Sequence, residues 1–121
     1  MSSLKAFQGV AGRGARDTVD SNTWAALFMA LETAHHGRPW WEWSAPLRHR
    51  ESAALANART AQAEEIFFWQ FVQWCFDEQL SELKAYANAR GVMLMGDLPI
   101  FIAHHSAEVW AHRELFELDP H

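Results

Sequence analysis

The chain has 121 residues, enough for one domain or a piece of a larger one, and half of its residues are apolar, so it can bury a sizeable core. A net charge of −5 argues against a nucleic-acid or anionic-membrane footprint, and no apolar run is long enough to span a bilayer. The single cysteine, Cys75, excludes an internal disulfide and fits a reducing compartment, and with no signal peptide in the sequence a cytoplasmic protein is expected.

The first twenty residues are weakly patterned: Leu4, Phe7 and Val10 fit one short helical stripe, while Gly9, Gly12 and Gly14 argue against a long helix. Asp20, Ser21 and Asn22 are candidate N-caps. Trp24, Leu27, Phe28 and Leu31 then fall at i, i+3, i+4 and i+7, which predicts a helix with one apolar face. His35-His36-Gly37-Arg38-Pro39 ends it, Gly37 suiting a left-handed cap and Pro39 being unable to continue a helix. The histidine pair is expected to hold no metal, because no Cys, His or carboxylate follows at a ligand spacing. Trp40, Trp41 and Trp43 have two readings: a platform on which sugar rings stack, or packing of an inserted segment against a barrel, which is favoured.

From about Ala54 to Arg90 there is no Pro or Gly, and Ala, Glu, Gln and Leu dominate, which predicts a long helix. Phe68, Val72, Cys75, Leu83 and Tyr86 or Ala87 trace one stripe, and Phe67, Phe71, Trp74, Phe76 and Leu80 widen it beyond one face. Such a helix wants cover on several sides, more than this chain alone supplies. Cys75 is expected to be a small buried hydrophobe rather than a nucleophile. Glu78, Glu82 and Lys84 mark the wetter side, and Gly91 suits the position just past the helix end.

Everything else is organised around GVMLMGDLPIFIAHHSAEVW, Gly91 to Trp110. Val92, Met93, Leu94 and Met95 form an apolar run without alternation, which predicts one short strand buried on both faces. Gly96-Asp97 follows at once, then Pro99, so a carboxylate sits at the strand's C-terminal tip, where α/β barrels and open α/β sheets place their chemistry. Ile100, Phe101 and Ile102 are expected to extend the apolar layer, and Ser106 is expected to cap a short helix beginning at Ala107. His104 and His105 are expected in a solvated loop.

GDLPIFIA, SAEVWA and ELFELD together resemble the 4-α-glucanotransferases, the amylomaltase or disproportionating-enzyme family related to the α-amylases. FFWQFVQWCFDEQLSELKAYANARG resembles the family's helix leading into its third barrel strand, and WWEWSAPLRHR its Trp- and Arg-rich segment, so the likeness covers the chain from about Trp24 onward. Three positions depart from the pattern. Trp24 and Ala25 stand where the family often has an Asp-Tyr pair, and His105 stands where it often has Asp. The fold implied is α/β, a fragment of a (β/α)8 barrel, itself mostly helical with one barrel strand. Such a barrel needs roughly 250 residues, so an internal fragment is expected. Its expected parts are a helical segment over 1–90, inserted in or flanking the barrel, and the strand, active-site loop and short helices over 91–121.

The resemblance also implies an activity: transfer of α-1,4-glucan segments between maltooligosaccharides by a retaining double displacement, without a cofactor. A carboxylate nucleophile and a carboxylic acid/base do that chemistry. The family's Arg-x-Asp and Glu-Asp-Leu-Gly-like motifs that carry them do not occur in this sequence, so no catalytic residue is expected here and the fragment should be inactive. Asp97 matches a substrate-binding position of the family; His105 and Ser106 beside it are weaker candidates for sugar contact. The alternative is a stand-alone helical module that binds glucan or protein without catalysis. In either case the isolated chain is expected to associate with itself.

Overall fold

A computed structural model describes residues 21–119. The stripe of Leu4, Phe7 and Val10, the glycine break at Gly9, Gly12 and Gly14, and the cap candidate Asp20 lie outside the described residues, as do Pro120 and His121.

The first helix, α1, runs over Ser21–Ala34. Its apolar spacing works as expected: Ala26, Leu27, Phe28, Ala30 and Leu31 are buried, with Trp24 half-buried at the edge. The helix ends in a paired cap, with His36 N–H donating to the Thr33 carbonyl at 3.1 Å and Gly37 N–H to the Glu32 carbonyl at 2.9 Å. Gly37 is left-handed as its sequence suggests (φ 75°), but the residue that makes the first reversal is His36, also left-handed at φ 55°.

Trp40–Glu42 forms a single 3₁₀ turn, and α2 follows over Ala45–Arg48 with Pro46 in its first turn. The same cap recurs after it. Arg50 N–H donates to Leu47 and Glu51 N–H to Pro46, and Arg50 takes the left-handed position at φ 57°. The expected long helix is two helices, α3 at Ser52–Ala61 and α4 at Ala63–Asn88. Gln62 divides them at φ −109° and ψ 22°, outside helical geometry. Residue propensity alone could not place this break; it lets α3 turn Leu55 and Ala58 into the core while α4 packs along α1.

Gly91 closes α4 at φ 74°, with Gly91 N–H on the Asn88 carbonyl and Val92 N–H on the Ala87 carbonyl, both at 3.0 Å. The strand expected at Val92 to Met95 does not form: residues 92–99 have no regular secondary structure, and the described residues contain no strand at all. Met93 is 89 % and Met95 97 % exposed. A strand exists only by hydrogen bonding to a neighbour, and no described segment offers one. The apolar layer expected to continue through Ile100, Phe101 and Ile102 is likewise exposed, for the same lack of cover.

The chain returns to the core with α5, Ala107–Ala111, followed by a 3₁₀ turn at Arg113–Leu115. One apolar cluster joins Leu27, Phe28 and Leu31 of α1, Trp40 and Trp43, Leu55 and Ala58 of α3, and Val109 and Trp110 of α5. It is built on indole edges: Trp110 meets Trp24 at 5.5 Å and Trp43 at 5.5 Å between ring centres, both near perpendicular. Most of α4 stays outside it. Phe68, Val72, Phe76, Leu80, Leu83 and Tyr86 are exposed, and Cys75, expected to be buried, is only half-covered. No helix among the described residues is long and apolar enough to cross a membrane.

Candidate functional site

The site expected from the sequence is the Asp97 loop. Residues 92–103 are exposed throughout, with Asp97 among them, so nothing on the loop itself fixes its course. It is held at its two ends. Upstream is the Gly91 cap on α4. Downstream is a hydrogen-bonded joint that the sequence does not announce.

Trp40 is the centre of that joint. Its indole Nε1–H donates to the His104 carbonyl at 2.9 Å, and its backbone N–H donates to His105 Nδ1 at 3.2 Å. His105 Nε2 in turn meets Glu32 Oε1 at 3.1 Å. Because Nδ1 accepts, the neutral ring carries its proton on Nε2 and donates it to the carboxylate. His105 is thus no solvated loop residue: both ring nitrogens are engaged and its face packs 5.2 Å from Phe28. The His104 ring lies 4.5 Å from Trp41. Ser106 does what its sequence position predicts, its Oγ accepting the Val109 N–H at 3.3 Å and capping α5. The structure therefore gathers His105 and Ser106 at the root of the loop and leaves Asp97 out on the exposed part.

The tryptophan segment packs, though into this chain's own helical core rather than against a barrel: Trp40 and Trp43 are each 2 % exposed. Trp43 Nε1–H donates to the Arg38 carbonyl at 2.9 Å, and its ring stacks on His35 at 5.0 Å. His35 also donates from Nδ1 to the Leu31 carbonyl at 2.7 Å, so it finishes α1. Trp41 is half-exposed. No group of three or more potential metal ligands comes together among the described residues.

Behind the joint, arginines tie α2 to α5. Arg50 donates to the carbonyls of Trp110 and Ala111, and Trp110 Nε1–H donates back to the Leu47 carbonyl at 3.1 Å. Arg113 reaches the Arg48 carbonyl at 3.4 Å and lies over the Trp40 ring at 5.0 Å. Glu114, 3.8 Å from Arg50, is held below the usual carboxylate range, first by a backbone hydrogen bond at Glu114 and then by the charges of Arg50 and His112. Glu32 is the residue that sequence reasoning passed over, and Arg50, noted only as part of the Arg-rich segment WWEWSAPLRHR, had no role assigned to it. For Glu32 the available signal was a carboxylate directly beside the apolar stripe, one residue after Leu31; for Arg50 it was a second arginine two residues past the end of a short helix carrying Pro46.

Comparison with known proteins settles what this arrangement belongs to. The profile of glycoside hydrolase family 77, 4-alpha-glucanotransferase, matches residues 17–121. The chain belongs to this family. It is similar to the 4-alpha-glucanotransferase of Thermus thermophilus, 56 % identical over 94 residues, which are 78 % of this chain and 19 % of that protein. The Synechocystis 4-alpha-glucanotransferase is 45 % identical over 95 residues, again 78 % of this chain and 19 % of the relative. The structure is similar to amylomaltase from Streptococcus agalactiae in complex with acarbose, with a TM-score of 0.76 at 39 % identity, over 80 % of this chain and 20 % of that one. The chain thus spans about a fifth of the 4-α-glucanotransferases it matches, and that fifth is mostly helical.

Proposed function

We propose that this chain is the portion of a cytoplasmic 4-α-glucanotransferase that carries one wall of its sugar site, in an enzyme that moves α-1,4-glucan segments between maltooligosaccharides by a retaining double displacement. The observation that carries this reading is the family match over residues 17–121, which includes the loop GDLPIFIA with Asp97 in it. In that reading Asp97 accepts hydroxyl hydrogen bonds from the sugar at the cleavage point, and its charge favours the oxocarbenium-like transition state. The nucleophile and the acid/base come from the remainder of the enzyme, since the relatives extend well beyond the matched fifth. Neighbouring barrel strands in that remainder would pair with Val92 to Met95 and turn the apolar run into the expected strand. The exposed apolar residues of α4 and of 92–102 are the surface that the remainder covers.

The test is disproportionation of maltotriose. The purified 121-residue chain is expected to be inactive, and a full-length enzyme that carries this segment is expected to release glucose and longer maltooligosaccharides. Turnover by the contaminant-free chain alone would overturn the reading. A full-length protein that binds maltooligosaccharides without transferring them would favour the binding module.

A further inference from the structure

We propose that Glu32, a residue of α1 remote in sequence from the loop, is a positioning residue: acting through His105, it fixes where the Asp97 loop leaves the core. This rests on the reading of Asp97 given above.

Residues 92–103 are exposed at every position, so the loop's direction is set at its roots. The downstream root has no regular structure of its own until Ser106 caps α5. What holds it is a chain of three bonds: Trp40 Nε1–H to the His104 carbonyl, Trp40 N–H to His105 Nδ1, and His105 Nε2–H to Glu32. Trp40 is buried, so the first two bonds are anchored in the core. The first holds the backbone at His104, and only the second reaches the imidazole, at Nδ1, so the ring, beside Phe28 at 5.2 Å, has one hydrogen bond from that side and can still tilt about it. Glu32 removes that freedom by holding the opposite nitrogen, and its own backbone is fixed by a helix whose face is buried at Phe28 and Leu31. The two side chains are 25 % and 31 % exposed, so the bond is partly shielded from water. The carboxylate also selects the ring tautomer, since an acceptor facing Nε2 keeps the proton there and leaves Nδ1 free to accept from Trp40. A carboxylate that orients a histidine from behind is how many sites fix a ring they need in one pose. Here the histidine holds a loop rather than a reactant. An ordinary surface ion pair would do none of this and could be removed without effect.

The experiment uses the full-length enzyme with this segment, assayed on maltotriose. Glu32→Ala is expected to lower kcat by about 10- to 100-fold while KM changes far less, since a displacement of about 1 Å at a site residue costs that much turnover. Glu32→Gln, whose amide oxygen still accepts from Nε2, is expected to recover most of the loss. Glu32→Ala combined with His105→Ala is expected to be no worse than His105→Ala alone, because both act through one bond. Melting temperature is followed in parallel, so that a fall in kcat from unfolding is recognised, and Glu32→Gln supplies the folded comparison. Additive losses, or a rise in KM on His105→Ala with Glu32→Ala silent, would overturn the proposal and put His105 on the sugar itself. If these variants lower kcat while Asp97→Asn does not, the bridge stands and the Asp97 reading fails. If the full-length enzyme has no transferase activity, the nitrogen resonances of His105 in the 121-residue chain decide: a proton on Nε2 whose resonance moves in Glu32→Ala supports the bridge, and a proton on Nδ1, or an Nε2 resonance that Glu32→Ala leaves unmoved, overturns it.

Discussion

Arg50 and Trp110 together tie the end of α2 to the end of α5. Arg50 donates to the Trp110 carbonyl at 2.9 Å, while the Trp110 indole donates at 3.1 Å to Leu47, three residues before Arg50. The arginine does this from a left-handed backbone, φ 57°, which an L-residue occupies at a cost of about 1–2 kcal/mol. Its guanidinium caps the last carbonyls of α5, a favourable place for a cation, and hydrogen bonds to a charged group contribute about 1.5–3 kcal/mol. Arg50→Ala is expected to destabilise the chain by about 2 kcal/mol in urea unfolding. Arg50→Gly should cost about 1 kcal/mol less than that, because it relieves the backbone. Equal losses for the two would show that the left-handed geometry carries no strain.

Glu114 adds a small pH dependence to the same corner. Its folded-state pKa is lowered, first by a backbone hydrogen bond at Glu114 and then by Arg50 and His112, so its contribution is present at neutral pH and is lost as pH falls through the acid range. Because the side chain is exposed, the effect is small. Comparing the acid unfolding of the parent chain with that of Glu114→Gln checks it. The variant should show a slightly shallower fall in stability below about pH 4, and a steeper fall would contradict the sign.

At the end of α1, His36 occupies a left-handed position that favours glycine, and its side chain is exposed. His36→Gly removes the backbone cost without removing a buried contact. It is expected to raise stability by about 1 kcal/mol, and His36→Val to lower it by at least as much. A melting temperature that falls in His36→Gly would mean that the imidazole contributes more than the backbone loses.

These corners show where the sequence is readable. The helical spacing of Trp24, Leu27, Phe28 and Leu31 survives because α1 buries one face against this chain's own residues. The caps at Gly91 and Ser106 are legible because they are decided by the few residues around them. The run Val92 to Met95 reads as a strand from composition alone, yet a strand is a relation between two segments and its partner is not among the described residues. Gln62 breaks a helix that every propensity favours, because the packing of α3 on the core decides that turn. The joint at the loop's root was hidden for a similar reason: Glu32 and His105 are 73 residues apart, and nothing in the spacing of either announces the other.

The isolated chain is expected to self-associate. Phe76, Leu83 and Tyr86 on α4 are more than half exposed, and Met95 and Phe101 in the loop are 97 % and 92 % exposed. Monomeric proteins rarely leave apolar patches beyond a few hundred Å² uncovered. Light scattering should give a mass above that of the 13.9 kDa monomer, rising with concentration. Phe76→Glu with Leu83→Lys should move it toward the monomer. A clean monomer mass for the parent chain at high concentration would show that the face is tolerated in water.

The most demanding prediction concerns Asp97 in a full-length enzyme that carries this segment. Asp97 is exposed here, follows Gly96 directly, and stands on a loop anchored at Gly91 and at His105. No contact within the described fold accounts for a carboxylate there, whereas a sugar site would use one: it accepts two or more hydroxyl hydrogen bonds, and charge-assisted bonds are about twice as strong as neutral ones. Its charge also acts more strongly on a positively charged transition state than on a neutral ground state, so its loss should reduce turnover as well as affinity. Asp97→Asn keeps the shape and removes the charge. It is expected to lower kcat/KM by on the order of 10²-fold, or about 3 kcal/mol, comparable to losing one preorganised electrostatic group. Folding should change little, since asparagine also suits a turn. Unfolding of the variant would make Asp97 a structural cap. A folded variant with unchanged kinetics would mean that the loop turns this residue away from the glucan.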